Sequence, residues 1–198
     1  MAYKIAILSS TNGTNLQSFI DARDRGELEG VEICCLITDK AMCGAAGKAR
    51  AAGIKVYFID PEPVSRETYD QSVADTLTYF DVDLVVLGGY MKILGAPVLD
   101  KFKGRILNVH PSLLPKFAGG MNLNVHQAVL DAGETESGMT IHQVTEVLDG
   151  GDIILQKKVA VEPGETAESL KDKVQALEKE WYPKVVRALA DGKDPKTL

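Results

Sequence analysis

The strongest constraint on the fold is a series of unbroken apolar runs that alternate with helix-like stretches. The runs are YKIAIL, VEICCLIT, IKVYFI, VDLVVLGG and GRILNVH, at residues 3–8, 31–38, 54–59, 82–89 and 104–110. Strands without polar alternation are typical of parallel sheets that are covered on both faces. Strand–helix alternation produces right-handed crossovers between such strands. The pattern therefore predicts an α/β fold with a mostly parallel central sheet and helices on both faces.

The segments between and after these runs carry helix signals. After Pro115 the regular alternation of apolar runs and helical segments ends. We expect helices over residues 15–25, 44–53 and 65–80, then a short helix near 124–132 and a final helix over 166–190 with Thr166 as its N-cap. GMTIHQVTE and DIILQKKVAVE are expected to form strands, joined by a tight connection at Asp149, Gly150 and Gly151. The C-terminal half is thus predicted to contribute antiparallel strands.

Length, composition and charge limit the function classes. The chain has 198 residues, of which 45% are apolar, and this suits one domain over residues 1–198 with a substantial core. The net charge is −6 and no basic tract is present, which argues against extended nucleic-acid or membrane-surface binding. The start, MAYKIAILSSTNG, has no basic leader, so we expect a cytoplasmic protein.

A glycine-containing turn follows the first strand, in SSTNGTNLQSFI (residues 9–20). Gly13 would let the backbone approach a ligand, and the N–H groups at the start of the next helix attract phosphate. The stretch lacks both the three-glycine dinucleotide fingerprint and the Gly-Lys-Ser/Thr ending of a P-loop. The alternative is an ordinary βα turn in which Asn12 or Thr14 caps the helix.

The fourth and fifth strands end in two further candidate features. GGYMKILG, at residues 88–95, would suit a flat apolar ligand at the carboxyl edge of the sheet, or it is a loop whose aliphatic residues simply pack. Asn108 and His110 stand at i and i+2, so their side chains point to one side of a strand that stops at Pro111.

An asparagine amide can donate to a developing oxyanion, and a histidine can exchange a proton near neutral pH. Asp149 could approach His110 and favour its protonated form. No serine or cysteine has a nucleophile-elbow context, which favours direct attack by the substrate's own nucleophile. The alternative is a structural asparagine, a core histidine and a turn aspartate.

Taken together and in order, these segments resemble a known family. SSTNGTNLQSFIDA, SRETYD, VVLGGYMKIL, ILNVHPSLLPKF, SGMTIHQVTEVLDGGDIILQ and ALEKEWYP are similar to the 10-formyltetrahydrofolate-dependent formyltransferases, from Lys4 to about Pro183. HPSLLP with a later LDGG marks the family as a whole. NGTN at the first turn resembles its glycinamide ribonucleotide (phosphoribosylglycinamide) branch.

The resemblance implies a Rossmann-like fold and a reaction in purine biosynthesis. The formyl group of 10-formyltetrahydrofolate, a co-substrate, would pass to the amine of glycinamide ribonucleotide without a metal or a covalent enzyme intermediate. The N-terminal half would bind the nucleotide phosphate, and the C-terminal half would bind folate and catalyse. The implied partners are small-molecule substrates, with no nucleic acid and no membrane, and the implied assembly is a monomer or a homodimer.

The resemblance also assigns roles residue by residue. The implied catalytic residues are Asn108, His110 and Asp149. The implied nucleotide-binding residues are Gly13, Thr14, Asn15 and Glu178. The implied folate-binding residues are Arg66, Met91, Lys92, Ile93, Leu94, Asn108 and Glu146.

The chain departs from the family pattern at several positions. Ser10 and Thr11 replace common family residues, and Lys92 stands where an arginine is frequent. PKFAGGMNLNVHQ is longer than the short family version and has Ala118 in place of a proline. The conformation of residues 118–126 and the role of His126 are therefore left open. By analogy the Leu114–Pro115 bond is expected to be cis.

Two alternatives to this assignment differ in what they require. Other formyl-folate enzymes would need an additional domain at one end or a basic surface. A non-catalytic nucleotide- or folate-binding module would not need Asn108, His110 and Asp149 together.

Overall fold

Seven strands form one sheet in the order β3-β2-β1-β4-β5-β6-β7 in a computed structural model of the chain, which describes residues 2–62, 64–120 and 123–198. The strands are β1 Tyr3–Leu8, β2 Val31–Thr38, β3 Lys55–Phe58, β4 Leu84–Leu87, β5 Ile106–His110, β6 Glu136–Gln143 and β7 Ile153–Ala160. β1 to β5 pair in parallel, while β6 is antiparallel to β5 and to β7. The predicted α/β, mostly parallel sheet with antiparallel strands in its C-terminal half is confirmed.

The helices follow the strands as the alternation predicts. They are α1 Thr14–Asp24, α2 Gly44–Ala51, α3 Arg66–Tyr79, α4 Ala96–Lys101, α5 Leu123–Asp131 and α6 Ala167–Ala190, with a short 3-10 turn at Pro195–Thr197. The predicted N-cap of α6 is confirmed, because the Thr166 hydroxyl accepts a hydrogen bond from the Ser169 N–H. Within the described ranges, no helix has the length and apolar character needed to cross a membrane.

The sheet is covered on both faces, and β1 shows why its sequence is unbroken. Ile5 and Ile7 pack in one apolar cluster with α1, α2 and α6, while Ala6 and Leu8 pack in a second cluster with α3 and α4. Successive side chains of a strand point to opposite faces, so a strand between two helical layers needs apolar residues at every position.

Three details differ from the sequence expectations. β4 covers only residues 84–87 rather than 82–89. The Gly88 N–H still donates to the Leu8 carbonyl at 3.0 Å, but Gly89 adopts a φ of +73°, which is outside the range of a strand. Helix α4 was not expected, since its short segment APVLDK cannot display helical periodicity. The connection between β6 and β7 spans residues 144–152, so the prediction of a tight connection at 149–151 is wrong.

The strand order also predicts where a ligand-binding crevice lies. The chain leaves β1 toward β2 on one side and returns to β4 on the other, so the sheet has a switch point between β1 and β4. In open α/β sheets, ligands bind outside the carboxyl ends of strands at such a point. The ends of β1, β4 and β5 meet at this edge, which is where the sequence candidates lie.

Candidate active site

A cavity of about 410 Å³ lies at the switch point and brings most of the predicted site residues together. The predicted residues that line it are Thr14, Asn15, Met91, Lys92, Ile93, Leu94, Asn108, His110, Glu146, Asp149 and Glu178. Gly13 lies in the same turn, between the lining residues Asn12 and Thr14. Arg66 does not line the cavity. The further lining residues include Thr11, His126, His142, Lys171 and Gln175, none of which was assigned a site role from sequence.

His110 and Asp149 form a buried pair in the lining of the cavity. The Nδ1 of His110 lies 3.2 Å from Oδ2 of Asp149, and the two side chains are 4% and 7% exposed. The Nε2 of the same ring lies 3.0 Å from the carbonyl oxygen of Phe117. Both ring nitrogens thus face oxygen acceptors, and only the doubly protonated ring can donate to both of them.

The position of Asp149 depends on the glycines beside it and on a backbone donor. Asp149 has a φ of +52°, and its Oδ2 accepts a hydrogen bond from the Gly119 N–H at 2.8 Å. A Cβ at Gly151 would lie 1.9 Å from the Gln143 carbonyl oxygen, so only glycine fits there. The Asp-Gly-Gly stretch is therefore a bend that brings a carboxylate to His110.

Asn108 is oriented by His142, which faces it across the β5–β6 pair. The Nδ1–H of His142 donates to the Gln143 carbonyl at 2.9 Å, and burial lowers the pKa of His142, so the ring is neutral. Its Nε2 therefore accepts from the Asn108 amide at 3.2 Å. Asp149 Oδ1 lies 3.5 Å from the same Nε2, a proximity rather than an ion pair when the ring is neutral.

The hydrogen bond to His142 fixes the amide plane of Asn108. The second N–H of the amide then has a fixed direction and is available to a ligand. The pairing of His142 with Asn108 could not be predicted, because the β5–β6 register is not visible in the sequence.

The turn after β1 leaves the start of α1 uncapped by any side chain. Gly13 is the N-cap residue, with φ +71° and ψ +41°, and no side chain accepts from the first N–H groups. The alternative in which Asn12 or Thr14 caps α1 is therefore wrong. The first turn also contains no acidic residue. Free N–H groups and a positive helix end make this a candidate anion site.

Glu178 lies beside this turn as a buried carboxyl group. Its Oε2 accepts a hydrogen bond from the Asn15 amide at 3.2 Å. Burial raises the pKa of Glu178 to about 7, against the opposing effect of the Asn15 hydrogen bond. The group can accept hydrogen bonds from ligand hydroxyls, which would restore the solvation that burial removed.

The opposite side of the cavity is an apolar slot formed by residues 91–94 and the 144–149 connection. Ile93, Val147 and Leu148 are large apolar side chains that remain 61%, 66% and 56% exposed. The Met91 N–H is held by the Ser10 hydroxyl at 3.0 Å. Exposed apolar side chains grouped at a cavity mouth indicate a surface for a flat apolar ligand.

Arg66 and Asp70 hold this slot from outside. Arg66 donates from Nη2 to the Ile93 carbonyl at 3.1 Å, and its Nε lies 3.6 Å from the buried Asp70 carboxylate. Burial raises the pKa of Asp70, and a hydrogen bond from the Gly95 backbone opposes that rise. A Cβ at Gly95 would lie 2.3 Å from Asp70 Oδ2, so the loop is closely fitted to the carboxylate. The folate contact expected of Arg66 remains a prediction.

The segment after His110 is braced by Thr140 on β6. The Leu114 N–H donates to the Thr140 hydroxyl at 3.0 Å, and that hydroxyl donates to the Ser112 carbonyl at 2.6 Å. The Leu114–Pro115 bond is cis, as the resemblance implied. Met121 and Asn122, within the stretch whose conformation sequence left open, lie outside the described residues.

Comparison with known proteins gives one consistent result. Residues 3–186 match the formyl transferase family. The chain is 40% identical to phosphoribosylglycinamide formyltransferase of Haemophilus influenzae, over 96% of this chain and 88% of that protein. The Escherichia coli protein of the same name is 38% identical over 96% of this chain and 88% of its own length. Glycinamide ribonucleotide transformylase 1 of Symbiobacterium toebii superposes with a TM-score of 0.91 at 38% identity, covering 96% of this chain and 89% of that one.

Proposed function

We propose, since this chain belongs to the formyl transferase family and to its phosphoribosylglycinamide formyltransferase branch, that it transfers the formyl group of 10-formyltetrahydrofolate to the amine of glycinamide ribonucleotide. The products are formylglycinamide ribonucleotide and tetrahydrofolate, in purine biosynthesis. The observation that carries the proposal is one cavity in which Asn108 and the His110–Asp149 pair lie between an open helix N-terminus and an apolar slot.

The nucleotide occupies the α1 side of the cavity. Its phosphate accepts hydrogen bonds from the backbone of Gly13, Thr14 and Asn15, where the helix end is positive and uncapped. The sugar hydroxyls donate to Glu178, whose carboxyl group Asn15 holds in place. Phosphate and sugar are thus bound by adjacent residues, and the glycinamide amine extends toward His110.

The folate occupies the apolar slot on the other side. Its flat ring packs on residues 91–94, whose backbone groups supply polar contacts at the ring edge, and Glu146 lies at the mouth of the slot. Arg66 and Lys92 supply positive charge near the rim for the folate's carboxylates. Asn108 borders both substrates.

Catalysis then rests on the groups at the junction. As the amine attacks, negative charge grows on the formyl oxygen, and the free N–H of Asn108 and the N–H of His110 donate to it. The formyl oxygen replaces the Phe117 carbonyl as the partner of His110 Nε2. Asp149 stabilises the protonated ring and positions a water that carries the proton from the amine to the folate nitrogen. The bond between the formyl carbon and that nitrogen then breaks, and tetrahydrofolate leaves.

Direct attack requires no nucleophile from the protein. In the described part of the chain, no serine or cysteine lines the cavity. The proposal therefore includes no covalent enzyme intermediate, and it assigns no metal, because side chains perform the charge-stabilising and proton-transfer roles.

The test is an assay with glycinamide ribonucleotide and 10-formyltetrahydrofolate on wild type, His110→Ala and Asp149→Asn, with Asp100→Asn as an exposed control on α4. We expect turnover to fall at least about 100-fold in each site variant and to be unchanged in the control, because one lost oxyanion donor or orienting group has that size of effect. Full activity of His110→Ala would refute the assignment. Binding of both substrates by wild type without turnover would instead favour a binding module.

Residues 1–198 are proposed to act as one formyltransferase unit, with nucleotide-phosphate binding in the N-terminal half and folate binding and catalysis in the C-terminal half. The proposed partners are the two small-molecule substrates, with no nucleic acid or membrane, and the protein is proposed to be a cytoplasmic monomer or homodimer. Light scattering during size-exclusion chromatography distinguishes these two assemblies.

A further inference from the structure

Helices α1 and α6 run parallel and side by side, and their contacts define how they are aligned. Asn15 contacts Glu178, and Phe19 packs edge-on against Tyr182 with ring centroids 5.4 Å apart. The second contact lies four residues further along both helices than the first, so the two helices run in the same direction. α1 begins at Thr14, but α6 begins at Ala167, well before the level of Glu178. At a rise of about 1.5 Å per residue, the first turns of α6 flank the space in front of the α1 N-terminus.

Lys171 lies in this flanking part of α6. It stands two helical turns before Glu178, or about 10 Å along the axis, and on the same face. Both residues line the cavity. Lys171 and Lys92 are the two lysines among the described lining residues, and Lys92 belongs to the apolar slot. In the described part of the chain, no acidic group lies within ion-pair distance of Lys171.

His126 on α5 supplies a second, independent observation at the same place. Its ring is 2% exposed and lines the cavity, and its buried Nδ1 has no hydrogen-bond partner in residues 2–62, 64–120 and 123–198. Burial lowers the pKa of His126, and the positive charges of Lys171 and His110 lower it further. A buried ring without a partner is costly in a folded protein, and a ligand oxygen would supply one.

We propose that Lys171, with the ring of His126 beside it, binds the phosphate of the nucleotide from the side opposite the α1 N-terminus. The anion is then held between backbone N–H groups on one side and an ammonium group on the other. A charged contact in a confined site is stronger than at an open surface. The inference rests on the proposed function for the identity of the nucleotide, whereas phosphate binding itself requires no turnover.

Isothermal titration of the full chain with ribose 5-phosphate tests the site without catalysis. We expect Lys171→Met to raise the Kd about 10- to 100-fold, as loss of a charged hydrogen bond implies, and Lys171→Arg to stay within about threefold of wild type. His126→Phe keeps an aromatic ring of somewhat larger size but removes both nitrogens, so it should weaken binding about 3- to 10-fold. Lys103→Met, which removes one exposed charge elsewhere, should bind as wild type.

The same variants separate this proposal from the proposed function. In the formyl-transfer assay, Lys171→Met should raise the KM for the nucleotide with little change in kcat or in the folate KM. The site is overturned if folded Lys171→Met binds ribose 5-phosphate like wild type. It is also overturned if Lys103→Met or Lys171→Arg loses as much affinity as Lys171→Met. A wild type that binds ribose 5-phosphate but never transfers formyl overturns the proposed function and leaves the phosphate site standing.

Discussion

Replacing Glu178 with glutamine removes an ionisable group from a buried position while keeping the size of the side chain. Burial raises the pKa of this carboxyl from 4.5 to about 7 in the folded protein. Between these two values, the unfolded chain releases the proton while the folded chain retains it. The free energy of unfolding of the wild type therefore falls as pH rises through this window. Above about pH 7 the full loss of stability from ionising the buried carboxyl group has been reached.

The size of the effect follows from the two pKa values. At about 1.36 kcal/mol per pKa unit, the difference between 4.5 and about 7 corresponds to about 3 kcal/mol. Glutamine does not titrate, and its amide oxygen can still accept from Asn15. We therefore expect the difference in free energy of unfolding between Glu178→Gln and wild type to grow, in favour of the variant, by about 3 kcal/mol from pH 4.5 to pH 8.

The measurement is urea unfolding at pH 5, 6, 7 and 8, followed by the fluorescence of Trp181, the single tryptophan of the chain. Other titrating groups are common to both proteins, so the difference between the two stability curves isolates Glu178. Glu180→Gln, at an exposed position of the same helix, is the control for loss of one carboxylate from α6 without a change at the buried site. Parallel curves for wild type and Glu178→Gln would refute the buried-carboxyl argument. In the enzyme assay, Glu178→Gln should raise the nucleotide KM.

Two further predictions concern the folate slot and the oxyanion donor. Gly95→Ala pushes a methyl group against Asp70 and so displaces the loop that forms the folate slot. In steady-state assays the folate KM should rise about tenfold or more while the nucleotide KM stays constant. Equal changes in both KM values would contradict the positioning role. His142→Leu removes the acceptor that orients Asn108, so kcat should fall about 10- to 100-fold with both KM values little changed. His142→Gln, which offers an amide oxygen instead, should recover part of the rate, and no recovery would argue against orientation through this hydrogen bond.

Local signals made several parts of the fold predictable. β1 and β2 have the bounds expected from their apolar runs, because strands buried on both faces tolerate few polar residues. Thr166 could be identified as a cap because its partner lies three residues away. Helix α4 and the long β6–β7 connection could not be predicted, since a helix of six residues has too few turns to show a period and a loop's path depends on what it packs against.

The sequence by itself determined which reactive groups are available and how neighbouring ones point. Asn108 and His110 share one side of β5 because strand geometry alternates with a period of two. Only the tertiary structure decided their partners. The β5–β6 register places His142 opposite Asn108, the strained bend at Asp149 brings a carboxylate to His110, and Asn15 and Glu178 meet although they are 163 positions apart. Such contacts depend on packing between distant segments, and burial, which exists only in the folded chain, sets the charge state of Glu178.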